Sequence, residues 1–431
     1  MKRILSILIL LPFLINGQET ITPNSDTVIA LLHIKNPRAI QHHYLYTNSY
    51  LTVESNNLTS NFLNSMLFGG FITDEMKEVW INSGDESNKI NAELSNKFGY
   101  RYMANNFTFY SFQFSDVNSI HSNFSDDLLK LTLHGNYDYQ GDTLDFSNTA
   151  IRADRYQQYK FGYQFSLSQK ENIWTINTAL SYLNGNHHAQ TNINKGSLYT
   201  AEMGTYLDVN YDINTMITDT SNLSLFAGNG KGMAMDFSTY LTRGIHTYGV
   251  VIRDLGYINW NSNSIIANTD SSFSFTGIEI TDFSSLPEFN DSIINISYME
   301  KNSSFRSFIP ARITLSYSKN LEHKYFKNIW IATHSRWQPY KVKGGINWDL
   351  FHRGFQESGY KTSLDLNSNI QLKYINSTIG FSTGGFTDGT KILFTLSDKK
   401  GIFTIGTYHL NELFKKDKTS LSAFIQLQTQ F

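Results

Sequence analysis

The chain has 431 residues, no cysteine, and 35 Lys and Arg against 37 Asp and Glu, a formal net charge of −2. Lack of cysteine excludes disulfide stapling and thiolate metal sites, and the near balance of charge excludes a nucleic-acid footprint. Charged residues are 17% of the chain, against about 25% in ordinary soluble domains, while aromatics reach 14%, with 31 Phe and 25 Tyr.

The first element is MKRILSILILLPFLINGQET, in which Lys2 and Arg3 precede an apolar run from Ile4 to Ile15 and a small residue, Gly17. This pattern reads as a secretory signal peptide over residues 1–17. A run of this length falls short of the roughly 20 residues that a spanning helix needs. Its removal takes Lys2 and Arg3 away and moves the net charge from −2 to −4. No later stretch is apolar long enough to cross a membrane as a helix.

Residues 18–105 are expected to form an N-terminal segment with one short helix. In TDEMKEVWINSG, Thr73 caps the start, Asp74 and Glu75 occupy the first turn, and Gly84 stops the helix. Met76, Val79 and Trp80 form its apolar stripe. Two positions are open to this helix: inside a barrel as part of a plug, or on the periplasmic surface.

From residue 106 onward the dominant signal is period two, the mark of strands whose side chains alternate between two faces. Tyr159, Phe161, Tyr163, Phe165 and Leu167 share one face, and Lys160, Gly162, Gln164, Ser166 and Ser168 the other. Trp174, Ile176, Leu180 and Tyr182 oppose Thr175, Asn177 and Ser181, and the pattern repeats from Leu364 to Tyr374. These runs are about ten residues long, the length of a tilted transmembrane strand. Their polar faces carry Gln, Asn, Ser and Thr with few charges, as a barrel lumen does.

GNGKGMAMDF, residues 228–237, invites a phosphate-loop reading because three glycines alternate around Lys231. A phosphate loop requires Ser or Thr directly after its lysine and then a helix. Here Gly232 follows Lys231, and Met233, Met235 and Phe237 alternate with Ala234, Asp236 and Ser238 as a strand. Arg243-Gly244 reads as a two-residue hairpin turn into HTYGVVIRDL. Pairing Thr242 with Ile245 sets Asp236 opposite Val251 and diagonal to Arg253, on the lumen face. The two charges then either form an ion pair that narrows the lumen or stand separately solvated at a rim. Residues 262–308, rich in Ser, Asn and Asp, read as a long loop with one strand at Gly277 to Thr281.

The chain ends LSAFIQLQTQF, a terminal strand with a final aromatic that resembles the sorting signal of bacterial outer-membrane barrels. Counting back from it places Lys415, Lys416 and Lys418 outside the cell and the turn at Asp398 to Gly401 in the periplasm. The expected fold is therefore all-β: a transmembrane antiparallel outer-membrane barrel over residues 106–431, of about 14 strands within a range of roughly 12 to 16.

Catalysis finds no support in the residues. His334 and Ser335 are neighbours on a strand and face opposite ways, as do His42-His43 and His187-His188 if extended. No catalytic set, metal set or cofactor is expected.

Four segments, LLHIKNPR, SYLNG, GNGKGMAMDF and RDLGYINW, resemble a family of Bacteroidota outer-membrane barrels of unknown function. The first departs from that family's Asn-Pro-Ala at Asn36-Pro37-Arg38. The family is architecturally similar to long-chain fatty-acid transporters, which implies a 14-stranded barrel in the outer membrane with an N-terminal segment in its lumen. It implies no site residues. The leading expectation is a lipid-embedded barrel that passes or binds a small hydrophobic solute, with Met76, Val79, Trp80, Asp236 and Arg253 as lumen candidates. The alternative is a non-transporting scaffold that docks to periplasmic or cell-surface assemblies.

Overall fold

A computed structural model describes residues 42–82, 87–105, 107–219, 221–222, 224–276, 299–338, 359–387, 389–415 and 419–430. The barrel opens with β1 (His42–Ser55), β2 (Ser87–Asn105), β3 (Thr108–Ser125), the short β4 (Thr143–Asp145), β5 (Thr149–Gln169) and β6 (Asn172–Thr200). It continues through β7 (Leu207–Ile217), β8 (Gly230–Arg243), β9 (His246–Trp260), β10 (Ile265–Phe275), β11 (Met299–Asn302), β12 (Arg306–Ile309) and β13 (Ala311–Asn320). The last strands are β14 (Phe326–Trp337), β15 (Lys361–Gln371), β16 (Ile375–Gly385), β17 (Thr390–Asp398), β18 (Phe403–Thr407) and β19 (Ser420–Gln430).

Fourteen of these close a ring in the order β1, β2, β3, β5, β6, β8, β9, β13, β14, β15, β16, β17, β18, β19, and every neighbouring pair is antiparallel. Closure comes from β1, which pairs with β2 on one side and with β19 on the other, Tyr44 opposite Gln430 and Leu51 opposite Ala423. A closed ring leaves no unpaired strand edge, which lipid would not tolerate.

Alternation sets the two faces as the sequence predicts. On β8, Met233 is 60% exposed on the outer wall, whereas Tyr240 is 1% exposed inside. Cross-strand aromatics cover the outer wall: Tyr110 with Tyr163, Phe112 with Phe161 and Phe114 with Tyr159, at ring separations of 5.4, 5.0 and 5.2 Å. On β19, Ser422, Gln426 and Gln428 are buried inside while Leu421 and Ile425 face out.

The two ends differ. One carries the start of β1, the end of β19 and the short turns, including those at 170–171, 244–245 and 399–402. Lys170, Gly244 and Gly401 there adopt positive φ of 55°, 57° and 72°, as tight hairpins demand. The other end carries all the long connections. In barrels of this class short turns face the periplasm and long loops the exterior. The turn at Asp398 to Gly401 and the loop containing Lys415 lie at opposite ends, as expected. Because the chain has no cysteine, a Lys415→Cys variant should react with an impermeant maleimide on intact cells, and a Lys400→Cys variant only after lysis. The reverse pattern would invert the barrel.

Three sequence expectations are corrected. The barrel begins at His42, so residues 42–55 and 87–105 are wall strands, and a boundary at 105/106 does not hold. Residues 18–41 lie outside the described residues. Second, the expected helix is present as α2 (Asp74–Asn82), preceded by α1 (Ser60–Phe68), and both sit at the long-loop end, neither in the lumen nor at the periplasmic end. The reason is β1, which carries the chain across the membrane first. Together with α3 (Asp126–His134), they enclose Leu58, Phe62, Trp80 and Leu129 in a separate apolar cluster, with Phe62 edge-on to Trp80 at 4.6 Å. Asp74 ion-pairs with Lys77 at 2.8 Å, which holds its carboxyl below the ordinary value.

Third, residues 262–308 are not simply loop. β6 outruns the barrel; its upper half pairs with β7, which pairs with β10, forming a sheet that projects beyond the rim. β12 and β13 continue one wall position along β9, interrupted at Pro310, which has no N–H to give the ladder. The expected strand at Gly277 to Thr281 lies outside the described residues, as do Phe431 and Lys416 and Lys418.

Candidate functional site: the barrel lumen

Inward positions of the wall strands build the lumen in two layers. Nearer the long-loop end the layer is apolar: Val117, Tyr156, Leu183, Ala234, Ile258, Trp260, Phe305 and Ile309 pack together. Trp260 is its keystone. It lies opposite Gly230 on β8, which in turn lies opposite Gly185 on β6. A Cβ at Gly230 would come within 2.6 Å of the Trp260 ring, so this glycine provides the flat wall on which the indole rests. The indole Nε1 donates to Ser307 Oγ at 2.8 Å, and the imidazole of His188 stacks on its ring at 5.6 Å. His188 is held in turn by Asp154, whose oxygen lies 2.7 Å from Nδ1.

Thus SYLNG meets GNGKGMAMDF and RDLGYINW, the two arms of one hairpin, on three adjacent strands. The glycine loop is a seat for an aromatic ring rather than a phosphate cradle. LLHIKNPR lies outside the described residues.

Below this layer runs a belt of charge. Glu93 on β2 reaches across the ring to β13 and β14, where its two oxygens accept from Arg312 Nη2 and Arg336 Nη2, both at 3.0 Å. The carboxylate is 3% exposed, and Arg312 has a second, more distant carboxylate in Asp254 at 3.8 Å. On the other side Lys160 donates to Asp236 and, at 3.2 Å, to Asp254. Gln158 Nε2 also donates to Asp254, at 2.9 Å. Lys391 pairs with Glu54 at 2.9 Å, and His334 Nε2 stands 3.2 Å from Asp365. The belt surrounds a cavity of about 300 Å³. Seven Lys and Arg side chains line it against four carboxylates.

The sequence-derived candidates divide. Asp236 and Arg253 both line a small cavity on the inner face of the wall. Their register differs from expectation: the turn is Gly244-Ile245, so Thr242 pairs with Thr247 and the strand slides by two residues. That slide sets Asp236 against a bulge formed by Arg253 and Asp254, the latter at φ 56°. Asp236 accepts the backbone N–H of Asp254 at 2.8 Å and ion-pairs with Lys160. Met76, Val79 and Trp80 are not brought to the lumen; Met76 and Trp80 pack in the helical cluster at the long-loop end, and Val79 is exposed on α2. The apolar hollow of about 480 Å³ lined by Leu51, Leu94, Ile120 and Ile217 opens on the outward-facing side of the wall.

Sequence reasoning missed Glu93, Arg312, Arg336 and Asp254. A signal was present, since each is a charge embedded in strand-forming sequence, where side chains must choose between lipid and lumen. Among the described residues no cluster of His, Asp and Glu has metal-ligand geometry.

The profile of a family described as "Family of unknown function (DUF5723)" matches residues 39–386. No curated protein matches the chain. Among solved structures, the toluene transporter TbuX of Ralstonia pickettii is similar at 8% identity, covering 96% of each chain, with a TM-score of 0.45. A FadL homologue of Pseudomonas aeruginosa is similar at 10% identity over 96% of each chain, TM-score 0.39. The translocator domain of autotransporter NalP from Neisseria meningitidis is similar at 8% identity, covering 94% of this chain and 98% of its own, TM-score 0.35. The barrel architecture of this chain rests on its own strand ladder.

Proposed function

We propose that this chain, which belongs to the DUF5723 family of unknown function, is an exported outer-membrane barrel that binds or passes a small solute through its lumen, without catalysis. The observation that carries the reading is the chamber of about 300 Å³ inside the ring, lined by the charged belt. Its lining favours a polar solute over the hydrophobic one expected from sequence. A hydrophobic guest would displace water from paired charges and give them nothing in return. The Trp260 layer is the gate in this reading, because its apolar side chains pack into the lumen on the long-loop side of β6, β8 and β9.

Liposome swelling with purified protein tests it. Wild-type barrel should admit small sugars slowly, and Trp260→Ala should raise the rate at least severalfold, because removing the indole opens the apolar layer. Liposomes that stay impermeable with both proteins would remove the transport reading.

A scaffold reading has one observation of its own. At the outer end, Phe68 and Phe71 are 71% and 84% exposed beside the half-exposed Met66, an apolar patch at the tip of the helical cluster. Patches of this kind mark interaction sites. Impermeable liposomes together with loss of a co-purifying protein on Phe68→Ser and Phe71→Ser would favour it.

A further inference from the structure

Two cations on the lumen face of β2 stand apart from the ion-pair belt. Lys97 and Arg101 both line the central cavity. Gly99 lies between them on the same face, and the Tyr46 ring lies flat over it, where a Cβ would come within 2.0 Å of the ring. Among the described residues, neither the Lys97 nor the Arg101 side chain makes a hydrogen bond or a close ion pair, and Asp254 attracts Lys97 only from beyond contact distance. The nearby carboxylates are already engaged: Glu93 by two arginines, Asp236 and Asp254 by Lys160, Glu54 by Lys391. A buried cation with no carboxylate in contact is costly unless an anion joins it.

We propose that Lys97 and Arg101 form a binding site for a small anionic solute bearing carboxylate or phosphate groups. The inference rests on the reading that the lumen takes a solute, and it names the class. Residues four apart on a strand are about 13 Å apart at Cα, and two long flexible side chains can close on a guest from both ends. That geometry suits a dianion whose two charges are separated, and Asn48, Gln113 and Gln426 on the same wall supply neutral hydrogen-bonding groups. Lys supplies a compact charge and Arg a planar fork, which together accommodate either head group.

The experiment is calorimetric titration of the detergent-solubilised full chain with succinate and with inorganic phosphate. Wild type should bind at least one of them, and Lys97→Gln with Arg101→Gln should weaken that binding by tenfold or more. Lys97→Arg, which keeps the charge, should stay within about threefold of wild type. Should the double variant fail to fold, Lys97→Met alone should still weaken binding severalfold. Absence of binding to wild type, or equal affinity in wild type and the charge-removing variants, overturns the proposal. Swelling assays separate this from the parent reading: binding without permeability keeps the site and removes the channel, whereas permeability to neutral sugar without anion binding removes the site and keeps the channel.

Discussion

Replacing Glu93 by glutamine is expected to destabilise the folded barrel by about 3 kcal/mol. The size follows from geometry. One buried carboxylate satisfies Arg312 and Arg336 from the opposite wall, each at 3.0 Å. Glutamine keeps the volume and removes the charge, so two guanidiniums remain side by side on the neighbouring strands β13 and β14, with only the more distant Asp254, 3.8 Å from Arg312, to offset them. Arg312 is 38% exposed and recovers part of its loss from water, whereas Arg336 at 16% recovers less, which keeps the figure at the lower end for a broken buried pair. Arg336 also lies over the rings of Phe386 and Tyr360, at 4.7 and 5.3 Å, and these contacts survive the substitution. The measurement is the urea midpoint of the barrel in lipid vesicles, read by tryptophan fluorescence and by the heat-dependent shift in gel mobility. Changing Glu93, Arg312 and Arg336 together to Met should recover most of the loss, because no orphan charge is then left. A glutamine variant with an unchanged midpoint would mean that lumen water already supports these charges.

The same carboxylate shows where the sequence was legible and where it was not. Alternation on β5, β6, β8, β15 and β19 is readable because apolar and polar side chains separate cleanly between lipid and lumen. β1 hides for the opposite reason. Its inward face carries Tyr44, Tyr46 and Tyr50 and its outward face Thr47 and Ser49, so the usual contrast between faces is missing. Strand identity there is decided by closing the ring with β19, a contact across almost the full chain length. Partners across the lumen are equally invisible locally, since Glu93 and Arg336 are joined only when the cylinder closes. The Asp236 register failed by a smaller margin: moving the turn by one residue slid the pairing by two, and the bulge at Arg253 and Asp254 added one more at Asp236. What the motifs did carry was contact, since the glycines of GNGKGMAMDF and the tryptophan of RDLGYINW meet on neighbouring strands.

Adding one methyl group at Gly232 is expected to cost about 3 kcal/mol, while the same methyl at Gly228, four residues earlier, should cost almost nothing. A Cβ at Gly232 would come within 2.0 Å of the Tyr257 carbonyl oxygen and 2.9 Å of the Ile258 Cα. Both obstacles are backbone, so no side-chain rotation relieves them, and β8 must move away from β9. Gly232 pairs with Ile258 in the ladder, and the displaced strand would carry away the glycine wall beneath Trp260. At Gly228 the nearest atom to such a Cβ is Asn184 Oδ1, at 3.7 Å, an ordinary contact. Gly232→Ala should therefore lower the urea midpoint and also raise liposome permeability, because the seat of the gating indole shifts with the strand. Gly228→Ala should leave both readings near wild type. If Gly232→Ala lowered stability without changing permeability, Trp260 would be a packing residue of a closed wall, and control of the lumen would have to lie in the charged belt beneath it.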